Sequence, residues 1–324
     1  MIEVGTKNEW SWVQRLKTGS APSQLIMMAL LVSVTVYLCI KSPYFPTWGN
    51  IRNILDHSAL NAIIAVGMTF VICAAGIDLS VGAIAALCGV IMALALHGGL
   101  SWRIVIPSGI VAGFLLGGIN GLVISFFKVN PFIVTLATMS VMRGLTLILT
   151  GGIPIYNFSN GFTWWGSGHI GPFNPPMLLA LFAISAGAVM LNRTRFGYHV
   201  LSIGGNEEAL RRAGVNTAIC KTLVYGFCGL MAAIGGLIIT ARLNTAEPLA
   251  GTMIELEAIA TVVLGGTAMN GGKGTIVGTV LASLLLGVLR NGLVILSIPS
   301  YYQQLLIGLI ILSAVIVSEV NPRS

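Results

Sequence analysis

The sequence predicts an all-α fold: a polytopic transmembrane bundle of about ten helices with both termini in the cytoplasm. Three observations predict it. Of the 324 residues, 56% are hydrophobic and only 8% are charged, and the mean hydropathy is +0.92. A soluble domain of this length needs far more charge to cover its surface. Many apolar stretches approach the roughly 20 residues that cross a hydrocarbon core as a helix, and the Lys and Arg residues concentrate in alternate loops.

Ten spans account for the apolar stretches. We predict them at 23–40, 57–76, 79–97, 103–126, 131–150, 176–191, 219–241, 256–270, 275–297 and 302–319. Asn130 before Pro131 combines a capping side chain with a first-turn proline, and Asn174 precedes Pro175 in the same way. The eighth span is short and interrupted by glycines. Residues 1–22 are predicted to be a cytoplasmic segment, and residues 23–324 a single transmembrane domain.

The Lys and Arg residues predict the orientation. With the N-terminus inside, 11 of the 17 lie on the cytoplasmic side, four lie outside, and Arg143 and Arg290 lie within spans. Cytoplasmic loops of membrane proteins collect these residues. The net charge of +7 therefore indicates topology and contact with membrane lipid rather than binding of nucleic acid.

One hydrophilic island, Asn192–Lys221, interrupts the apolar chain. Its charged residues are Arg193, Arg195, Glu207, Glu208, Arg211, Arg212 and Lys221. The bias of Lys and Arg places this segment in the cytoplasm, and it is long enough to form short helices outside the bilayer. The loop at 192–220 is therefore predicted to present a helical hairpin to a soluble partner.

Two glycine-rich segments lie between spans. In Gly76–Gly82 (GIDLSVG), glycine permits tight turns and close backbone approach, and Asp78 or Ser80 can cap the next helix. This pattern predicts either a gate at the inner end of a pathway or a capped helical turn. Asp78 is the only carboxylate that the predicted spans place near membrane depth in the first half of the chain, which favours a functional role.

The second segment, Leu264–Gly278 (LGGTAMNGGKGTIVG), contains six glycines. It does not match a phosphate-binding loop. Thr267 stands where that pattern needs a glycine six residues before Lys273, and Gly274 stands where it needs Ser or Thr. Close helix packing or a broken helix that lines a cavity is the favoured interpretation.

Two arginines, Arg143 and Arg290, lie within apolar spans. Arginine at this depth is costly and usually faces the bundle interior or a wet cavity. Asn120, Asn291 or a backbone carbonyl are the expected partners. The pattern leaves open whether the arginines serve packing or line a pathway.

The opposite side of the membrane has two distinctive segments. Residues 151–175 contain no Lys, Arg, Asp or Glu, which favours an interfacial cover over a binding site. The acidic segment 242–257 is predicted to dock a soluble external partner through ion pairs. Its candidate docking residues are Arg242, Glu247 and Glu255. Segments 112–124 and 282–295 resemble one another and run in opposite directions, as in the inverted repeats of transporters.

Catalytic and metal-binding patterns are missing from the sequence. It has no HExxH, no GxSxG and no paired carboxylates within the spans. The five cysteines have no CxxC spacing, so neither a disulfide framework nor a metal site is expected. Intramembrane proteases and proton-driven pumps need buried titratable groups. The chain is therefore not predicted to be an enzyme.

Several short motifs are specific in combination. They are Asn61–Ile63, Val66–Thr69, Gly76–Gly82, Pro131–Leu136, Arg143–Gly144, Gly204–Asn206, Gly214–Asn216, Leu264–Thr267, Gly271–Gly274 and Ser300–Gln303. With these motifs, the chain from about residue 25 to 319 resembles the inner-membrane permease of bacterial ABC sugar importers of the ribose, xylose and galactose class. Thr267–Asn270 departs from the pattern in a linker that varies within that family.

The resemblance implies a ten-span subunit that works as a homodimer or heterodimer above a separate ABC ATPase. A periplasmic binding protein delivers the substrate, and the partner subunit hydrolyses ATP, so this chain binds no cofactor. The loop between spans six and seven holds the coupling helix. The coupling residues implied by the resemblance are Gly205, Asn206, Glu207, Ala209, Arg212 and Gly214.

The predicted function is the permease of an ATP-driven monosaccharide importer in the bacterial inner membrane. The predicted gate and pathway residues are Gly76, Asp78, Ser80, Gly82, Asn120, Arg143, Thr267, Asn270 and Asn291. The alternatives are a related permease for a nucleoside, a branched-chain amino acid or a furanose signal, and an ion-coupled secondary transporter. The sequence does not identify the sugar.

Overall fold

The computed structural model describes residues 21–299 and, beyond them, residues 302, 305, 306, 308, 309 and 312. The described part consists of helices and one two-stranded sheet. The elements are α1 (Ala21–Lys41), α2 (Trp48–Cys73), α3 (Val81–His97), α4 (Trp102–Phe127), α5 (Pro131–Thr150), β1 (Ile155–Tyr156), α6 (Asn160–Ser167), α7 (Pro175–Arg193), α8 (Arg195–Arg212), α9 (Thr217–Leu243), β2 (Thr245–Ala246), α10 (Ile254–Leu264) and α11 (Ile276–Ile295).

The prediction of a polytopic helical membrane protein is confirmed. Within the described residues, seven helices are long and apolar enough to cross a membrane: α1, α2, α4, α5, α7, α9 and α11. The predicted spans 79–97 and 256–270 correspond to shorter helices, α3 with 17 residues and α10 with 11. The predicted span 302–319 and the segment 1–20 fall largely or wholly outside the described residues.

Helix α2 begins nine residues before its predicted start at residue 57. Thr47 caps it by accepting a hydrogen bond from the Asn50 amide, and the polar residues that follow are helical. Hydropathy does not predict these nine residues as part of the span, because several of their side chains are polar: Asn50, Arg52, Asn53 and Asp56. Such polar side chains form hydrogen bonds with other helices. Asn50 Oδ1, for example, accepts a hydrogen bond from Asn291 Nδ2 of α11 at 2.8 Å.

Helix α9 is central and packs against α2, α3 and α4. A glycine recurs at every fourth position of α4, at Gly109, Gly113, Gly117 and Gly121. A Cβ at Gly113 would lie 2.6 Å from the carbonyl oxygen of Gly229 in α9, so the two backbones are in contact. Van der Waals packing through small residues drives helix association in membranes, which explains the glycine spacing of α4.

Buried side-chain hydrogen bonds connect α2 to the helices near the C-terminus. Asn61 Nδ2 donates to Thr261 Oγ1 of α10 at 2.8 Å, and the hydroxyls of Thr69 and Thr279 lie 2.8 Å apart. Interhelical hydrogen bonds of this kind contribute roughly 0.6 kcal/mol each in membrane proteins. They fix the position of α2 relative to α10 and α11.

The two ends of the bundle differ. At one end, which we call the sheet face, β1 pairs antiparallel with β2, and α6 packs closely on Ala241–Arg242 at the end of α9. At the other end, the α8 face, lie α8 and the loop between α10 and α11. The charge-free segment 151–175 contains β1 and α6 and lies over the sheet face.

Candidate functional site

Helix α8 consists of two segments joined at a kink. Thr194 caps the first segment by accepting from the Gly197 amide. Asn206 has non-helical φ and ψ of −162° and 93°, and its Oδ1 accepts from the Ala209 amide at 2.9 Å. Asparagine is among the preferred N-cap residues because its side chain satisfies a free first-turn amide. The sequence prediction of short helices in this loop is confirmed.

The kink rests on a junction of three backbones, which we call the α8 junction: Gly204, Cys73 at the end of α2, and Gly271–Gly272. The Gly272 amide donates to the Cys73 carbonyl at 2.9 Å. A Cβ at Gly204 would overlap that carbonyl and the Gly272 nitrogen, and it would lie 2.9 Å from the Gly271 carbonyl carbon. Only glycine permits this approach. The coupling residues predicted from the sequence include Gly205 but not Gly204, which is the packed position.

Most of the predicted coupling residues are exposed, within the second segment of α8 or directly beside it. The exposed members are Gly205, Asn206, Ala209, Arg212 and Gly214. Glu207 instead turns towards Lys221 of α9, 2.5 Å from its Nζ. Glu208 pairs with Arg211 at 2.7 Å and Arg212 at 3.1 Å. Hydrogen bonds from Arg212 and then Arg211 hold the pKa of Glu208 below its usual range, so this carboxylate stays charged on an exposed helix.

The Gly76–Gly82 segment forms a buried, hydrogen-bonded turn. Asp78 Oδ1 accepts from the Ser80 amide at 2.9 Å and from Ser80 Oγ at 2.5 Å. Asn120 Nδ2 of α4 donates to Ser80 Oγ at 2.8 Å, and the Tyr225 hydroxyl of α9 donates to the Ile77 carbonyl at 3.4 Å. Asp78, Ser80 and Asn120 are fully buried. The segment is therefore a hydrogen-bonded turn fixed by two neighbouring helices, although the Ser80 side chain at the N-cap of α3 makes no capping hydrogen bond.

The loop after α10 turns sharply on glycines. Gly266, Gly271 and Gly272 have φ values of 85°, 83° and 76°, a region that residues with a Cβ rarely adopt. Thr267 is buried, and its Oγ1 has no hydrogen-bond partner among the described residues. Asn270 is exposed. The loop therefore combines an exposed tip with a buried base against the α8 junction.

Each span arginine has a defined partner. Arg143 Nη1 of α5 donates to the Ala250 carbonyl at 2.6 Å and approaches the Pro248 carbonyl at 3.4 Å, so a backbone carbonyl serves here, as one sequence alternative expected. Arg290 of α11 instead pairs with Glu257, whose two carboxylate oxygens lie 3.3 Å from Nη1. Glu257 is not among the partners expected from the sequence.

The two asparagines predicted as arginine partners make other contacts. Asn120 bonds to Ser80, and Asn291 bonds to Asn50 of α2. Both bonds join helices distant in sequence, and such pairings cannot be read from spacing along one helix. The prediction that these amides satisfy the arginines is therefore wrong, and Asn291 lies near the sheet face, apart from the predicted gate.

Glu255 does not lie on the external docking surface as predicted. It is in the first turn of α10, and a Cβ at Gly82 in the first turn of α3 would lie 2.5 Å from its Oε2 and would overlap the Gly251 carbonyl oxygen. Oε2 is buried and has no hydrogen-bond partner among the described residues. The short helices α3 and α10 thus meet at their N-termini inside the bundle, and Glu255 lies between them.

A polar cavity of about 520 Å³ opens on the sheet face. Its lining residues are Gly49, Arg52, Asn53, Asp56, His57, Gly166, Ser167, His169, Asn174 and Arg242. Arg52 Nη2 contacts His169 Nδ1 at 2.6 Å and also donates to Asn174 Oδ1. Asn174 Nδ2 donates to Asp56 Oδ2 at 2.5 Å. Of the three predicted docking residues, Arg242 alone lines this cavity.

Asn174 precedes a helix, as predicted, but it does not cap that helix with its side chain. Helix α7 does begin at Pro175, but the Asn174 side chain makes no capping hydrogen bond because it is engaged with Arg52 and Asp56. Arg52 and Asp56 lie after α1 and before the predicted second span. Polar residues at that position were the feature of the sequence from which this cavity could have been predicted.

Comparison with known proteins assigns the family. The family model described as a branched-chain amino acid transport system permease component matches residues 50–315. The chain is 41% identical to the ribose import permease protein of Escherichia coli K12 over 304 residues, 91% of this chain and 93% of that protein. It is 43% identical to the ribose import permease protein of Bacillus subtilis, covering 89% and 90%.

A third relative is the D-allose transport system permease protein of Escherichia coli K12, which is 34% identical over 88% of each chain. No solved structure matches the chain significantly. The family match and these identities agree with the seven long apolar helices and with the resemblance carried by the motifs. The chain therefore belongs to this family of permease components, and it is a multi-pass transport protein of the bacterial inner membrane rather than an enzyme.

Proposed function

We propose that the chain is the translocation subunit of an ATP-driven ABC importer for a monosaccharide. A periplasmic binding protein delivers the sugar to the sheet face, and a separate ABC ATPase docks on the α8 face. The relatives named as ribose and allose permeases, at 34% to 43% identity, support the substrate class.

The α8 junction is the observation that carries this proposal. The exposed second segment of α8 is capped by Asn206. The first segment contacts the end of α2 and the glycine loop through backbone at Gly204, and its Phe196 ring stacks on Phe70 of α2. A soluble protein that moves α8 therefore displaces α2, α10 and α11 together. Small shifts of packed elements are transmitted in this way because tightly packed interfaces do not deform continuously.

The proposed topology places the α8 face in the cytoplasm. Lys128, Arg211, Arg212 and Lys221 lie there, in agreement with the positive-inside rule. Ten spans then require α3, α10 and residues 302–319 to complete the set, with residues 1–22 and the C-terminus inside. The chain works beside a second permease copy and in contact with lipid, and ATP is bound by the partner ATPase. The oppositely directed segments 112–124 and 282–295 are proposed to be an inverted repeat.

Purification from the native membrane tests the proposal. An ABC ATPase is expected to co-purify with the chain in mild detergent and to be identified by mass spectrometry. The reconstituted complex is then supplied with binding proteins loaded with D-ribose, D-allose or D-galactose, and stimulated ATPase activity and uptake are measured. Uptake driven by an ion gradient without an ATPase would instead establish the secondary transporter.

A permease for a non-sugar solute is the second candidate, favoured by the description of the matched family model. The same reconstituted complex separates the two. Stimulation by a binding protein loaded with a branched-chain amino acid, and by none of the loaded sugar-binding proteins, would replace the monosaccharide in the proposal.

Asn206→Ala is expected to weaken coupling without preventing assembly. The substitution removes the N-cap of the second α8 segment, which costs about 1 kcal/mol of local helix stability. A coupling free energy of this size corresponds to about a fivefold loss, measured as the ATPase activity stimulated by the loaded binding protein. Asn206→Ser retains a capping oxygen and serves as the control. Equal activity of the two variants would contradict a capping role.

A further inference from the structure

Arg143 and Glu255 are opposite charges that approach the same short segment, residues 250–251, without forming an ion pair. Arg143 Nη1 donates to the Ala250 carbonyl at 2.6 Å, and a Cβ at Gly82 would overlap the Gly251 carbonyl oxygen and lie 2.5 Å from Glu255 Oε2. Among the described residues, the ion pairs with a nitrogen–oxygen distance of 4.0 Å or less involve neither Arg143 nor Glu255. Arg143 is held back by the carbonyls of Ala250 and Pro248. The guanidinium and the carboxylate therefore lie near one another but more than 4.0 Å apart.

The Glu255 carboxylate is held in a position that stabilises negative charge. It lies in the first turn of α10 and against Gly82 in the first turn of α3. Partial positive charge from both helix N-termini converges there. The Ser80 side chain, which stands at the N-cap of α3, makes no capping bond. The buried Oε2 has no donor among the described residues, so this carboxylate has an unused acceptor.

Arg143 lies well inside the bundle span. It is 12 residues beyond Pro131, the start of α5, and this spacing corresponds to about 18 Å along the helix at 1.5 Å per residue. Of the neighbours on its helix face, Leu136, Ser140 and Leu147 are exposed in the single chain, whereas Met139 is partly buried and Thr146 is buried. A guanidinium at such depth faces a wet cavity or a protein surface rather than lipid tails.

We propose that Arg143 and Glu255 together bind a hydroxyl group of the solute during its passage. A hydroxyl is both a donor and an acceptor. It bridges the two charges by donating to the free acceptor of Glu255 and accepting from the guanidinium of Arg143. The ligand class is an uncharged polyhydroxylated molecule, so this inference rests on the proposed sugar-import function. The pair gives the permease its own discrimination, in addition to that of the binding protein.

The test uses the full reconstituted complex and whichever of D-ribose, D-allose and D-galactose the wild-type complex takes up. Arg143→Gln and Glu255→Gln are compared with Arg290→Gln and Glu257→Gln. These controls change the same residue types in a pair that is already closed at 3.3 Å. Uptake of the sugar and of its monodeoxy analogues is measured with one binding protein. Its own preference cancels when the ratio for a variant is divided by the wild-type ratio.

The expected result is a loss of discrimination. For at least one deoxy analogue, the preference for the full sugar falls about tenfold in Arg143→Gln and in Glu255→Gln, because a site built to bond a hydroxyl rejects a molecule that lacks it. The preference of the two control variants stays at the wild-type value. Glu255→Asp and Arg143→Lys recover part of the preference, and yield of assembled complex confirms folding.

Three outcomes would count against the proposal, and the measurements distinguish them. If the wild-type complex transports sugar and Arg143→Gln and Glu255→Gln retain its preference among all analogues, the hydroxyl site is wrong while the sugar-import function stands. If uptake and stimulated ATPase activity fall together with unchanged preference, the pair is structural, which also overturns the site. If the wild-type complex takes up none of the three sugars, the proposed function itself fails.

Discussion

Gly204→Ala is expected to reduce sugar uptake by about 100-fold, near the upper range of coupling free energies between sites. The added Cβ overlaps the Cys73 carbonyl and the Gly272 nitrogen, and both are backbone atoms that cannot rotate away. The α8 junction must therefore open. Movement of α8 is then no longer transmitted through this junction to Cys73 or to the loop between α10 and α11.

Uptake and ATPase activity are measured in the same reconstituted complex. The variant complex is expected to assemble and hydrolyse ATP without importing sugar, because the exposed second segment of α8 is unchanged. Gly118→Ala is the matched control, since a Cβ at Gly118 meets nothing within 4 Å. Wild-type uptake by Gly204→Ala would show that the junction does not transmit movement.

Gly229→Ala is expected to destabilise the whole bundle by about 3 kcal/mol, the upper part of the usual range for overpacking a close contact. A Cβ at Gly229 of α9 would overlap the Gly113 carbonyl and would lie 2.9 Å from both the Cα and the nitrogen of Gly117. The helices α4 and α9 must separate. Their contact is central to the bundle, so the separation also loosens α2 and α3 around α9.

The thermal midpoint of the purified protein in detergent measures this effect. Gly118→Ala again provides the comparison, and it is expected to be neutral or to stabilise slightly, because alanine is favoured over glycine in a helix interior by about 0.5–1 kcal/mol. The two variants make the same chemical change and differ in what the new methyl group meets. Equal midpoints would contradict backbone packing at Gly229.

The position of Glu255 shows where sequence reasoning stopped. The sequence predicts that the acidic segment around it docks an external partner through ion pairs. The structure places Glu255 between the N-termini of α3 and α10, where the helix dipoles favour negative charge. No local pattern distinguishes these two environments. The neighbour that decides, Gly82, lies 173 positions earlier in the chain.

Gly204 shows the same limit from the opposite side. The resemblance carried by Gly204–Asn206 implies that Gly205, Asn206 and positions after them couple to a partner protein. Which of the adjacent glycines is packed and which is exposed depends on the curvature of α8 against Cys73 and Gly272. Sequence spacing gives no such information, because glycine serves tight packing and free loops equally well.

The sequence by itself determined the fold class, the approximate positions of the described spans and the placement of one polar helical loop at an end of the bundle. These properties follow from hydropathy, charge and helix-start residues, which act over a few neighbouring positions. Only the tertiary structure decided the partners: Arg143 with the Ala250 carbonyl, Arg290 with Glu257, and Gly204 with the ends of two other segments. The reason is physical, since in an apolar environment each polar group takes whatever partner the packing of distant helices brings within reach.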